Sequence, residues 1–206
     1  MIENLNPNDY YTTLATKGFY ETKIKGSKFI GFAYPILDKI NADEIIENHR
    51  KEYYDATHNC FAYSIINTNE IFRYSDDGEP SGTAGRPIYQ AIKHFNYRNV
   101  LVIVTRYFGG VKLGVGPLSR AYYDTAYAVL NSTPTKIVYI TKTLEITFDY
   151  TYVSAIKRLL EPVSVETKEL YLDVVTFTAK ILDSKFDDLN KNLIDLTQGK
   201  VIIKYL

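Results

Sequence analysis

Residues 99–107, NVLVIVTRY, are the most apolar strand-length stretch of the chain. A run this short and this rich in β-branched residues reads as a strand buried on both faces, not as a helix. It is expected to be the central strand of its domain. A helix is expected on either side of it, one from Pro87 to about Phe95 or Asn96, the other from Pro117 to about Asn131. Proline at the first helical position is pre-set for helix and lacks an N–H that would go unpaired there anyway. The packing face of the second helix would be Leu118, Ala121, Tyr122, Thr125, Ala126 and Val129.

Other elements follow from local pattern. Residues 17–24 and 28–35 read as a hairpin around Gly26-Ser27. Residues 42–53 read as an amphipathic helix with Ala42, Ile45, Ile46 and His49 on one face, Asn41 as N-cap and Glu44 at the third position. Residues 59–66 and 70–74 read as strands joined by a turn at Asn67-Thr68-Asn69. Residues 132–136, STPTK, are the expected linker. Beyond them strands at 143–149, 163–168, 171–181 and 200–205 alternate with helices at about 151–161 and 184–196. This βαββαβ order is the ferredoxin-like split βαβ. The expectation is an α+β protein with domains at 1–135 and 136–206.

At 206 residues and 46% hydrophobic, the chain can bury two small cores and is not expected to be disordered. No apolar run approaches the roughly 18–20 residues that cross a bilayer, so no membrane partner is expected. The N-terminus, MIENLNPNDYY, lacks the apolar core of a signal peptide. A single cysteine, Cys60, forms no intrachain disulfide, and the cytoplasm is the expected compartment.

Charge and glycine are segregated. The formal net charge is zero, yet residues 80–123 hold Arg86, Lys93, Arg98, Arg106, Lys112 and Arg120 and no acid. Just before them lie Asp76, Asp77 and Glu79. Seven of the 11 glycines (Gly78, Gly82, Gly85, Gly109, Gly110, Gly114 and Gly116) fall in residues 75–120. Two readings stand. Glycines and cations without counter-charge compose an anion site. Alternatively, the acids fold back and neutralise the arginines. In both loops, GTAGRP and GGVKLGVGP, glycines lead into a helix start, where unpaired N–H groups and about half a positive charge favour an anion. Arg86, at the start of its helix, and Arg120, in the first turn of its own, would oppose that dipole, and a bound phosphate or carboxylate would offset the penalty. Neither loop fits the P-loop or the dinucleotide fingerprint.

The candidate anion- or nucleic-acid-binding set is therefore Gly82, Thr83, Gly85, Arg86, Arg106, Tyr107, Gly109, Gly110, Lys112, Gly114 and Arg120. Tyr89, Tyr107 and Phe108 are candidates to stack on bases. Asp76, Asp77 and Glu79 are the only candidate acid/base or magnesium-holding groups, with turn and capping duty as the competing role. His58 and Cys60 share one face of a strand about 6.6 Å apart, too far for a relaxed thiol–imidazole hydrogen bond. Cys60 is expected to be buried and inert. His49 and His94 read as packing or surface residues, and no Cys/His spacing resembles a zinc site. No catalytic set, metal or cofactor is expected.

Residues 75–87 (SDDGEPSGTAGRP) and 104–114 (VTRYFGGVKLG) resemble the signature of the YigZ/IMPACT family. Arg120-Ala121-Tyr122, Ala56-Thr57-His58 and the K-x-S-x-F pattern of Lys25, Ser27 and Phe29 resemble further family positions. The chain departs at Gly116-Pro117-Leu118, where the family usually has two glycines before leucine. The resemblance implies a first domain like domain 2 of ribosomal protein S5 and a ferredoxin-like second domain like the last domain of elongation factor G. Eukaryotic relatives regulate translation initiation and carry an extra RWD domain, so that role does not carry over whole. The implied partners are RNA, the ribosome or a protein of the translation machinery. An enzyme on a small phosphorylated or carboxylated metabolite and a protein-interaction module are the alternatives.

Overall fold

The computed structural model describes residues 5–66 and 70–206. The expected turn at 67–69 lies outside the described residues. The chain divides into two compact units, residues 12–137 and residues 5–11 together with 138–206. The division therefore falls two residues later than the expected 135/136, and the N-terminal segment goes with the second unit rather than the first. A strand over Tyr10–Leu14 (β1) pairs with one over Thr135–Tyr139 (β7), where the chain passes between units. Residues 132–136 are thus no linker: one helix runs through Ser132, and the β-branched sequence TKIVY follows as a strand.

In the first unit, strands Gly18–Ile24 (β2) and Ser27–Pro35 (β3) form the expected hairpin. Its two loop residues, Lys25 and Gly26, have φ of 46° and 82°, the positive pair that lets a two-residue loop match strand twist. Helix Lys39–Glu52 (α1) starts earlier than expected. Its N-cap is Asp38, whose side chain accepts from the Asn41 N–H, while Asn41 Oδ1 accepts from the Leu37 N–H. Strands His58–Ile66 (β4) and Glu70–Ser75 (β5), helix Gly85–Phe95 (α2), strand Val100–Tyr107 (β6) and helix Val115–Ser132 (α3) complete the unit.

The sheet is antiparallel in the order β2-β3-β6-β4-β5, with β6 at its centre. Val100, Val102 and Val104 face a core shared with α2 and α3, while Leu101 and Ile103 face a second core with Ile46 of α1. Burial on both faces is why this strand reads as unbroken apolar sequence. Each such side chain contributes about 1.5–3 kcal/mol of transfer free energy. Pro87 and Pro117 occupy the third helical position, not the first as expected, and the first-turn residues have no intrahelical N–H partner to lose.

The second unit runs β8 (Thr141–Phe148), α4 (Val153–Leu160), β9 (Ser164–Tyr171), β10 (Val175–Leu182), α5 (Phe186–Thr197) and β11 (Ile202–Tyr205), in the antiparallel order β11-β8-β10-β9. Leu144, Ile146 and Phe177 pack with Ile156, Leu189 and Leu193. The buried carboxylate of Asp9 binds the N-terminal segment to this unit, accepting from the Ser184 N–H at 3.0 Å and the Ser184 hydroxyl at 2.7 Å. Among the described residues no helix is long and apolar enough to cross a membrane.

Candidate anion-binding cleft

The loop of residues 75–84 is built by its own acids. Asp76 Oδ1 accepts from the N–H groups of Ala84 and Gly85 at 3.0 and 2.9 Å, and its Oδ2 accepts from the Gly82 N–H at 2.8 Å. The start of α2 therefore already holds an anion, and that anion is internal. This corrects the expectation that the GTAGRP loop presents bare amides to a ligand. Thr83 is buried and donates to the Pro80 carbonyl, and Gly85 is a glycine because a Cβ would lie 2.7 Å from Ser75 backbone. Asp77 accepts from the Asn59 N–H at 2.7 Å and pairs with Arg50 at 2.9 Å.

Glu79 is the hub of a buried network. One oxygen accepts from Arg106 Nη1 at 2.6 Å and from the Tyr122 hydroxyl at 2.8 Å, and the other lies 3.8 Å from His58 Nε2. Arg106 also donates to Ser27 Oγ, and its guanidinium lies 5.4 and 5.5 Å from the ring centres of Phe29 and Phe108. At 5% exposure, Arg106 cannot meet a ligand phosphate. The alternative in which the acids neutralise the arginines is thus correct for Arg106, and its place in the anion-binding set is withdrawn. Burial pushes the hydroxyl of Tyr122 and the thiol of Cys60 far above their ordinary ranges. Cys60 donates to the Asp76 carbonyl at 3.0 Å and is a packing residue.

Asp76, Asp77 and Glu79 are each committed to internal bonds, and among the described residues no cluster of three His, Cys, Asp or Glu side chains is set to hold a metal ion. Tyr107 donates to Asp55 at 2.9 Å. Gly109 packs against the hairpin turn, where a Cβ would overlap the Gly26 backbone.

Two of the expected cations remain together. Arg86 and Arg120 face each other across a cleft of about 370 Å³ between α2 and α3. Pro87 and Gln90 line it from α2, Ser119 and Tyr123 from α3, and Gly82 stands at the rim. Both arginines are exposed, neither has an ion pair among the described residues, and no lining residue is acidic. Asp124, one turn after Arg120, makes no ion pair with it. Lys112 is likewise exposed and unpaired among the described residues, on a loop where Gly110 and Gly114 have φ of 85° and 82°. The helix α3 starts at Gly114 without a side-chain cap, unlike α2 with its Asp76.

Sequence reasoning missed Gln90, Ser119 and Tyr123. Helical spacing would have found two of them: Gln90 is four residues after Arg86, and Tyr123 is three after Arg120; Ser119, adjacent to Arg120, has no such signal. The sequence offered acids folding back onto arginines as one of two readings, but no local signal says that it is Glu79 that meets Arg106.

A family profile described as the Impact N-terminal domain matches residues 25–130, inside the first unit. The IMPACT family member YvyE of Bacillus subtilis (strain 168) is 34% identical over 195 residues, covering 94% of this chain and 90% of the relative. An IMPACT family member in the pol 5′ region of Thermus thermophilus is 34% identical over 183 residues, covering 88% of this chain and 99% of its own. A crystal structure of a hypothetical protein superposes with a TM-score of 0.67 at 24% identity, over 96% of this chain and 98% of that one, a likeness of fold alone.

Proposed function

This chain belongs to the IMPACT family, and from that premise we propose that it is a non-enzymatic, cytoplasmic regulator of the translation machinery that contacts RNA or the ribosome. The contact surface is the α2–α3 cleft, with Arg86 and Arg120 as its phosphate ligands and Lys112 as a further cation. One observation carries the reading: two arginines meet in a cleft with no acid in its lining, inside a protein of zero net charge. Unpaired arginines repel each other, and phosphate oxygens offer the bidentate geometry a guanidinium takes.

The folds support the same reading by analogy. We read the first unit as like domain 2 of ribosomal protein S5. The second, with its βαββαβ order and β11-β8-β10-β9 sheet, is read as ferredoxin-like and akin to the last domain of elongation factor G. Fold likeness alone does not fix function. Against an enzyme stands the state of the three carboxylates, whose oxygens cap α2, bind Asn59 and neutralise Arg106.

Binding of labelled single-stranded RNA and of purified ribosomes, followed across salt concentration, tests the proposal. Each phosphate contact on a single strand contributes about 0.7 to the slope of log K against log salt. The Arg86→Glu/Arg120→Glu variant should bind at least about tenfold more weakly and lose roughly 1.4 from that slope. A salt-independent wild-type affinity would remove the phosphate contacts from consideration.

A further inference from the structure

We propose that the α2–α3 cleft seats one nucleotide of a single-stranded RNA, its base against Tyr123 and its phosphate between Arg86 and Arg120; this rests on the RNA reading above. At about 370 Å³ the cleft falls in the roughly 300–1,000 Å³ range of small-molecule sites, larger than an inorganic anion needs. Its lining has three parts. Arg86 and Arg120 supply charge, Tyr123 supplies a flat apolar ring, and Gln90 and Ser119 supply donors and acceptors. A nucleotide carries the complement of each: a phosphate, a planar base and a base edge that pairs with an amide side chain.

A second observation favours a nucleotide within a strand over a free one. From Tyr123 an aromatic row leads away along α3 and α2: Tyr123 to Tyr127 at 6.1 Å, Tyr127 to Phe95 at 4.9 Å and Phe95 to Tyr97 at 5.1 Å between ring centres. All four rings are half-buried, packed against the core and still partly open to solvent. The rings lie against one another, and their solvent-facing parts continue the aromatic surface beyond Tyr123, where neighbouring bases of a strand can lie without regard to sequence. A lone mononucleotide would use only the first.

The discriminating measurement is fluorescence anisotropy with labelled oligo(A), oligo(C) and oligo(U), duplex RNA, and unlabelled AMP and UMP as competitors. It compares the wild type with Tyr123→Ala, Tyr123→Phe, Gln90→Ala and Arg86→Ala/Arg120→Ala. Tyr123→Ala should weaken single-strand binding about 5- to 100-fold at an unchanged salt slope, and Tyr123→Phe should bind like the wild type. Gln90→Ala should shrink the differences among the three homopolymers, and the mononucleotides should compete weakly. If the arginine variant loses binding while Tyr123→Ala and Gln90→Ala bind all RNAs as the wild type does, the nucleotide pocket is wrong and a phosphate-only surface stands. AMP binding as tightly as RNA overturns the strand and leaves a free-nucleotide site. A folded wild type that binds neither RNA nor ribosomes removes both proposals.

Discussion

Glu79 and Arg106 meet where water scarcely reaches, at 8% and 5% exposure, and each is the other's counter-charge. Removing one partner of such a pair leaves a buried ion uncompensated, at a cost of about 3–5 kcal/mol. Glu79→Gln should therefore lower stability by that amount in urea unfolding, with no specific effect on ligand affinity in protein that remains folded. Charge reversal at Arg106 would oppose two carboxylates and report on unfolding rather than on binding. A second buried group adds a pH dependence. His49 is 3% exposed, stacks on Tyr53 at 4.5 Å, and its Nε2 donates to Thr105, whose hydroxyl is committed to Asn59. Burial lowers its pKa from 6.5 to about 4. The unfolded chain then takes up a proton that the folded one refuses. Stability is full above pH 6.5 and is lost as pH falls from there towards 4, by at most about 3 kcal/mol. Unfolding measured across that interval should show the loss, and His49→Gln should flatten it.

Asp76 acts on a whole element. It accepts three N–H groups at the entry to α2, two of them at the helix start. Loss of a single helix cap costs about 0.5–2 kcal/mol, so Asp76→Ala should reach or exceed the top of that range in thermal unfolding, and Asp76→Asn should recover part of it. Elements with a local period were legible beforehand. The hairpin, β6, the packing face of α3 and the order of the second unit all follow from spacing. Caps were less so: Asp38 and Asn41 are both capping types three residues apart, and composition does not say which turns towards the helix amides. β1 and β7 gave no signal, because each is completed by a partner more than 120 residues away. The site divided in the same way. Sequence shows that acids precede the basic window. It does not show that Glu79 reaches Arg106, 27 residues on, while Arg86 and Arg120 are left unpaired.

The division of the chain into two units puts the ends of the sequence to work together. Asp9 is fully buried and serves Ser184 with both carboxylate oxygens, and its main-chain carbonyl accepts from Ile140 at 2.7 Å. Ser184 is itself exposed, so taking that acceptor away returns its N–H and hydroxyl to water and costs about 0.5–1.5 kcal/mol for each hydrogen bond lost. Asp9→Ala should speed amide hydrogen exchange in β8 and α5 while leaving β6 protected. The same link orders events during synthesis. A ribosome delivers residues 12–137 as a complete unit, able to collapse as soon as it has emerged. Residues 5–11, made earlier, must wait unsatisfied for Ile140 and Ser184. Residues 5–11 are thus made before that unit and seated after it, and a nascent chain whose residues up to 137 have all left the exit tunnel would carry a folded unit preceded by a segment still without its partners.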